Sequence, residues 1–196
     1  MSLARRGRSL TLSGFVLAGA IGIVSSTQTW LTVERADAGA EILVPGASAL
    51  VLLAPLSLAV LALGAALSIA GPILRLVFAI LAAAAALFLG WSTLQLLVTV
   101  PLAAVGPTVT EATGLAGSGA VSDIVASVAP SFWPVLALVG WVILLAAAVF
   151  ALFTWRRWKT GGRRYRTGAD APVHTEGPVD AIDSWDDLSR GTDPTR

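Results

Sequence analysis

The chain has 196 residues, of which 56% are hydrophobic and only 13% charged, about half the charged share of a soluble domain. It has no cysteine, which excludes disulfides, thiolate metal sites and thiol catalysis, and a single histidine, His174, too few ligands for a metal site. A net charge of +1 provides no global field to attract nucleic acid.

The charges are clustered, and between them lie four apolar runs. The first runs from Leu10 to Thr29 and reaches roughly 30 Å as a helix, enough to cross a bilayer core. Arg5, Arg6 and Arg8 precede it. They raise the alternative of an export signal, but the run stays apolar past Ala18-Gly19-Ala20 and three more follow, so a retained span is expected. A polar cluster, Ser25 to Thr29, ends it and is expected to meet headgroups and water or to line an outward cavity.

The second run is about 47–70, between Pro45-Gly46 and Gly71-Pro72, and Pro55 inside it should bend the helix. The third is about 73–100 and ends at Pro101. The short turn between these two predicts an antiparallel hairpin. The fourth is about 132–155, with Pro134 fitting a first helical turn.

Two connections lie on one side. The first, about 30–46, is short and acidic. The second, about 101–131, is rich in Gly and Pro, and Val121, Ile124, Val125 and Val128 recur in it at helical spacing. Ser122 or Asp123 would cap such a helix, which would lie on the membrane surface or over the bundle mouth. A loop segment packed on the bundle is the alternative.

Positive residues set the orientation. Arg5, Arg6, Arg8, Arg75 and the run Arg156, Arg157, Lys159, Arg163, Arg164 and Arg166 share one face of a four-span model. The other face has Arg35 with Glu34, Asp37, Glu41, Glu111 and Asp123. Both termini are therefore expected in the cytoplasm of a bacterial plasma membrane. The basic run after the fourth span should bind anionic lipid headgroups. Trp30, Trp133, Trp155 and Trp158 fall at span ends, where interfacial anchoring is expected, while Trp91 and Trp141 are expected to pack between helices.

The expected fold is thus all-α: residues 1–9 as a cytoplasmic N-terminus, 10–155 as a four-transmembrane-helix bundle, and 156–196 as a basic juxtamembrane segment and a disordered acidic tail. Small residues at Ala18, Gly22 and Ser26, at Gly64 and Ser68, and from Ala82 to Ala86 should let the helices approach closely.

No ionisable residue falls in the middle of a span, and no catalytic motif is present. No catalytic residue, cofactor or metal ligand is expected, so the chain is not expected to be an enzyme. Trp91 and Gln95, one turn apart, are a candidate intramembrane polar site. In the tail, Trp185 and Leu188 are candidate anchors for a protein partner, with Asp183, Asp186 and Asp187 setting its charge preference. A homo-oligomer would enlarge the bundle.

Ser26-Thr27-Gln28-Thr29-Trp30, Pro107 to Gly114, the basic stretch from Trp155 to Arg166 and Asp183 to Thr195 together resemble the actinobacterial Trp biosynthesis-associated membrane proteins. The resemblance implies a plasma membrane location and a genomic link to tryptophan synthesis, with no reaction and no active residues to carry over. The function it leaves is a non-enzymatic scaffold or accessory subunit that recruits a cytoplasmic partner, with a carrier of an aromatic metabolite, or its accessory, as the alternative.

Overall fold

The computed structural model describes residues 3–154, which fall within one compact unit. The chain runs as helix α1 (Leu3–Thr27), strands β1 (Thr29–Arg35) and β2 (Ile42–Pro45), helices α2 (Gly46–Ala49), α3 (Leu53–Ile69), α4 (Pro72–Thr99), α5 (Leu102–Thr113) and α6 (Ser118–Ile124), strand β3 (Val125–Pro130) and helix α7 (Trp133–Thr154). Three helices among the described residues are long and apolar enough to cross a membrane: Ser9–Thr27 within α1, α4 and α7. The apolar α3 is shorter, at 17 residues.

That short helix departs from the second predicted span. The run 47–70 is one composition but two helices, because the backbone leaves the helical path at Leu50 and restarts after Leu52. Pro55 does not bend a continuous helix. It lies in the first turn of α3, where the missing N–H leaves no hydrogen bond unmade.

The larger departure is a sheet. β1 is the central strand, paired antiparallel to β2 and to β3, in the order β2-β1-β3. The expectation of an all-α chain is corrected by it, and the connection 30–46 is a β-hairpin. Between Val121 and Val128 the chain is helical only to Ile124, then extended. Helical spacing misled there because Val125 and Val128 are strand residues, and Val128 faces Val33. Neither Ser122 nor Asp123 caps α6, which starts earlier, after Gly117.

The sheet alternates as a half-buried sheet should. Leu31 and Val33 of β1 lie opposite Val44 and Ile42 of β2, and all four are buried. Val105 and Val109 of α5 and Val121 of α6 join them in one core. Burying a large aliphatic side chain away from water in this way is worth about 1.5–3 kcal/mol. The opposite face keeps Glu34 and Ser127 exposed, with the Ser127 hydroxyl donating to Glu34 Oε2 at 2.7 Å. Gly114 closes α5 in the left-handed conformation that a Cβ disfavours, and its N–H donates to the Thr110 carbonyl.

Below the cap, α1 packs against α3 and α7, and α7 packs against α4. The small residues are where the helices meet. A Cβ on Gly22 would stand 2.2 Å from Ser57 Oγ of α3 and 2.6 Å from Cη2 of Trp141 of α7, and one on Gly64 would stand 3.0 Å from Phe15 Cβ. Ala82 and Ala86 are buried on α4. α3 and α4 meet more loosely and leave a lateral groove of about 440 Å³, lined by Val60, Leu63, Ala66, Leu81 and Ala85 among others.

Candidate functional site

The polar end of the first span is built into the joint between bundle and cap. Thr27 ends α1 and Thr29 begins β1, so the chain turns within two residues and folds Trp30 back over α1. Trp30 is fully buried, and its Nε1–H donates to the Ser25 carbonyl and to Ser25 Oγ, both at 2.9 Å. Interfacial anchoring at Trp30 is corrected: the indole is a core residue that finds its acceptors inside the protein. The Ser25 hydroxyl in turn reaches the Trp133 carbonyl at 3.4 Å.

Around this indole the backbone is tied in three more places. The Gly46 N–H donates to the Gln28 carbonyl at 3.0 Å, the Ser131 N–H to the Trp30 carbonyl at 2.8 Å, and the Ser131 hydroxyl to the Thr29 carbonyl at 2.6 Å. Gly46 is required there, since a Cβ would stand 2.6 Å from Trp30 Nε1. The start of α7 and the entry to α2 are thereby tied to the backbone carbonyls of residues 28–30, where α1 gives way to β1. Ser25 and Ser26 are buried, while Thr27 is exposed, so the predicted headgroup contact applies to only part of the cluster.

The second polar layer lies deeper in the bundle. Ser57 and Thr93 are fully buried, and each donates its hydroxyl to its own helix, to Leu53 O at 2.6 Å and Leu89 O at 2.7 Å. Trp141 is 2% exposed and packs between helices as expected. Trp91 does not: it is 63% exposed, because it and Gln95 occupy the outer face of α4 while Leu89, Thr93 and Leu96 form the inner one. The predicted pair shares a face but lines no interior site in a single chain. Thr93 was missed. Its signal in the sequence is a helical register with Leu89 and Leu96, which a small hydroxyl on an apolar helix does not make conspicuous.

In the cap, the β1–β2 turn and α6 border an open cleft of about 470 Å³, lined by Ala36, Asp37, Leu115, Ala120, Asp123 and Ile124. Arg35 Nε donates to Asp37 Oδ1 at 2.9 Å, and the Gly39 N–H donates to the same oxygen at 3.1 Å. The guanidinium first, then the backbone donor, hold the Asp37 carboxyl below the usual carboxylate range. Arg75 is 4% exposed in the first turns of α4, far from these acids, so it is more enclosed than an interfacial orienting charge would be. Among the described residues no group of three or more His, Cys, Asp or Glu is placed to hold a metal.

His174, Arg156, Arg157, Lys159, Arg163, Arg164, Arg166, Asp183, Trp185, Asp186, Asp187 and Leu188 lie outside the described residues, as do Trp155 and Trp158. The described part defines a helical membrane protein with a folded β-sheet cap at one end of its bundle. The chain belongs to the tryptophan-associated transmembrane protein family, whose model matches residues 12–195. No curated protein and no solved structure matches it.

Proposed function

We propose that the protein is a non-enzymatic scaffold or accessory subunit of a bacterial plasma membrane, with four crossings, both termini in the cytoplasm and the β-sheet cap outside. One observation carries this reading. Among the described residues, the buried polar side chains are hydroxyls and indoles, Thr11, Ser25, Ser26, Ser57, Thr93, Trp30 and Trp141, and the one buried ionisable group, Arg75, lies in the first turns of α4 at the end of the bundle away from the cap. Ion-coupled carriers and proton relays need ionisable groups at such depth. The placement of five acids and Arg35 on the cap, against the basic residues of the two terminal segments, supports the orientation. α3, at about 26 Å, spans the core only with local thinning of the bilayer or with help from its unwound entry at Leu50 to Leu52.

The partner in this reading is a cytoplasmic protein captured by Trp185 and Leu188, with Asp183, Asp186 and Asp187 selecting a basic groove. Arg156, Arg157, Lys159, Arg163, Arg164 and Arg166 hold the start of that segment at anionic headgroups. Affinity purification after crosslinking in native membranes tests it, with the full chain compared with one truncated after Gly168. A specific partner lost on truncation is the expected result, and an enzyme of tryptophan synthesis among the captured proteins would tie the family's association to this segment. Identical partners from both forms would remove the tail from the reading.

The alternative, a carrier for an aromatic metabolite or its accessory, rests on the exposed Trp91 and Gln95 face, which a second copy would have to enclose. Uptake by vesicles containing only this protein would favour it.

A further inference from the structure

Helix α4 carries two seams of the same period. Its buried residues Ala79, Ala82, Ala86, Leu89, Thr93 and Leu96 recur at alternating intervals of three and four, in a helix whose main neighbour is α7. A repeat of about 3.5 residues is that of a left-handed helix pair. Two residues further on, about 200° around the helix, Leu81, Ala84, Phe88, Trp91, Gln95 and Val98 keep the same intervals, and all six are exposed. Leu81 borders the lateral groove toward α3, which meets α4 loosely. From there to the capped end, nothing in the single chain shields the second seam.

Its polar member sets it apart from an ordinary lipid-facing surface. The Gln95 backbone carbonyl accepts from Thr99 Oγ1 at 2.8 Å, but its side-chain amide makes no hydrogen bond among the described residues. The amide is set in apolar surface, with Trp91 63% exposed one turn before it and Val98 74% exposed one turn after it. Acyl chains offer an amide no partner, and an unpaired one among them is unfavourable.

We propose that a second copy of this chain covers this face, with α4 parallel to α4 of its neighbour and the two Gln95 amides hydrogen-bonded across a two-fold axis. Three properties select a copy of this chain over an unrelated helix. An amide both donates and accepts, so it is complementary to itself. All copies enter the membrane in one orientation, so a two-fold axis along the membrane normal brings residue 95 to the level of its counterpart. A single polar side chain in an apolar heptad seam fixes register and strand number. Paired in this way the amides satisfy each other, and the Trp91 and Gln95 face is an interface rather than a lined site. The pairing does not depend on the tail and its partner.

Single-cysteine variants of the full chain, which has no native cysteine, test the proposal by oxidation in native membranes. Ala84→Cys and Val98→Cys should give disulfide-linked dimers, while Val142→Cys, at a residue 66% exposed on α7, should not. Gln95→Leu, combined with Ala84→Cys, removes the amide on an exposed face and should lower the yield of linked dimer about three- to twenty-fold. Equal yields at Val142 and at the two seam positions would mark random collision and overturn the proposal. So would linkage at neither seam position, which leaves the face to lipid. An unchanged yield with Gln95→Leu overturns it as well, the amide then being satisfied by headgroups or water.

Discussion

Trp30 and Ser25 are five residues apart, and the indole N–H of the first is shared at 2.9 Å between the carbonyl and the hydroxyl of the second. The pair closes the end of a membrane helix and opens a water-facing sheet in a single turn of chain. Trp30→Phe removes the indole N–H and part of the ring, leaving the buried Ser25 carbonyl with the Gln28 N–H as its partner and the Ser25 hydroxyl with its donation to the Trp133 carbonyl. A loss of about 1–3 kcal/mol is expected, read as a lower Tm of the purified protein in detergent. Trp30→Ala also leaves a cavity and should cost about 3–5 kcal/mol.

Two glycines should respond oppositely to the same substitution. Gly22→Ala places a methyl into Ser57 and Trp141, and overpacking of this kind costs about 1–3 kcal/mol. Gly119→Ala lies in α6, exposed and with open space around it, and should stabilise by about 0.4–1 kcal/mol. Thermal unfolding of the two variants side by side checks both signs.

The Arg35–Asp37 pair predicts a mild acid sensitivity of the β1–β2 turn. The Asp37 carboxyl is depressed in the folded protein, first by the guanidinium and then by the Gly39 N–H. Its contribution is therefore complete above about pH 4, where the carboxyl would be ionised in the unfolded chain as well, and it is lost as pH falls through the lower folded value. The pair is exposed and screened, so the effect is small. Proteolysis of the turn as a function of pH should show the acid-dependent increase, and Asp37→Asn should remove it.

The absence of native cysteine makes topology directly measurable. Ala38→Cys and Gly119→Cys both lie on the cap, and Gly71→Cys lies at the other end of the bundle, between α3 and α4. In intact cells an impermeant thiol reagent should label the first two and spare the third. Labelling of Gly71→Cys alone would invert the proposed orientation, and labelling at Ala38 without Gly119 would contradict the β1–β3 pairing that places them on one cap.

The membrane-crossing runs were legible because a bilayer imposes a length and a composition that a linear sequence carries openly. The limits of α4 and the start of α7 differ from the predicted runs by a residue. Helix contacts at Gly22 and Gly64 were legible for a similar reason, since close approach in lipid requires small residues at helical spacing. The interior polar position was less so: polarity singles out Gln95 in the sequence, but Thr93, two residues away, is the one that faces inward.

What the sequence alone determined, then, is the solvent of each segment and the end of the bundle at which each connection lies. Tertiary structure decided the sheet. β1 is followed at once by β2, but it also pairs with β3, placing Val33 opposite Val128 across most of the membrane domain. Neither connection reads as a strand by itself: one is short and acidic, the other begins with helical spacing and is rich in Gly and Pro. Only after four helix ends are gathered at one face do their extended segments become neighbours, and only then does Trp30 find Ser25 beneath it rather than a headgroup. The physical reason is that a strand's hydrogen bonds are made to a partner distant in the chain, whereas a membrane helix makes its own.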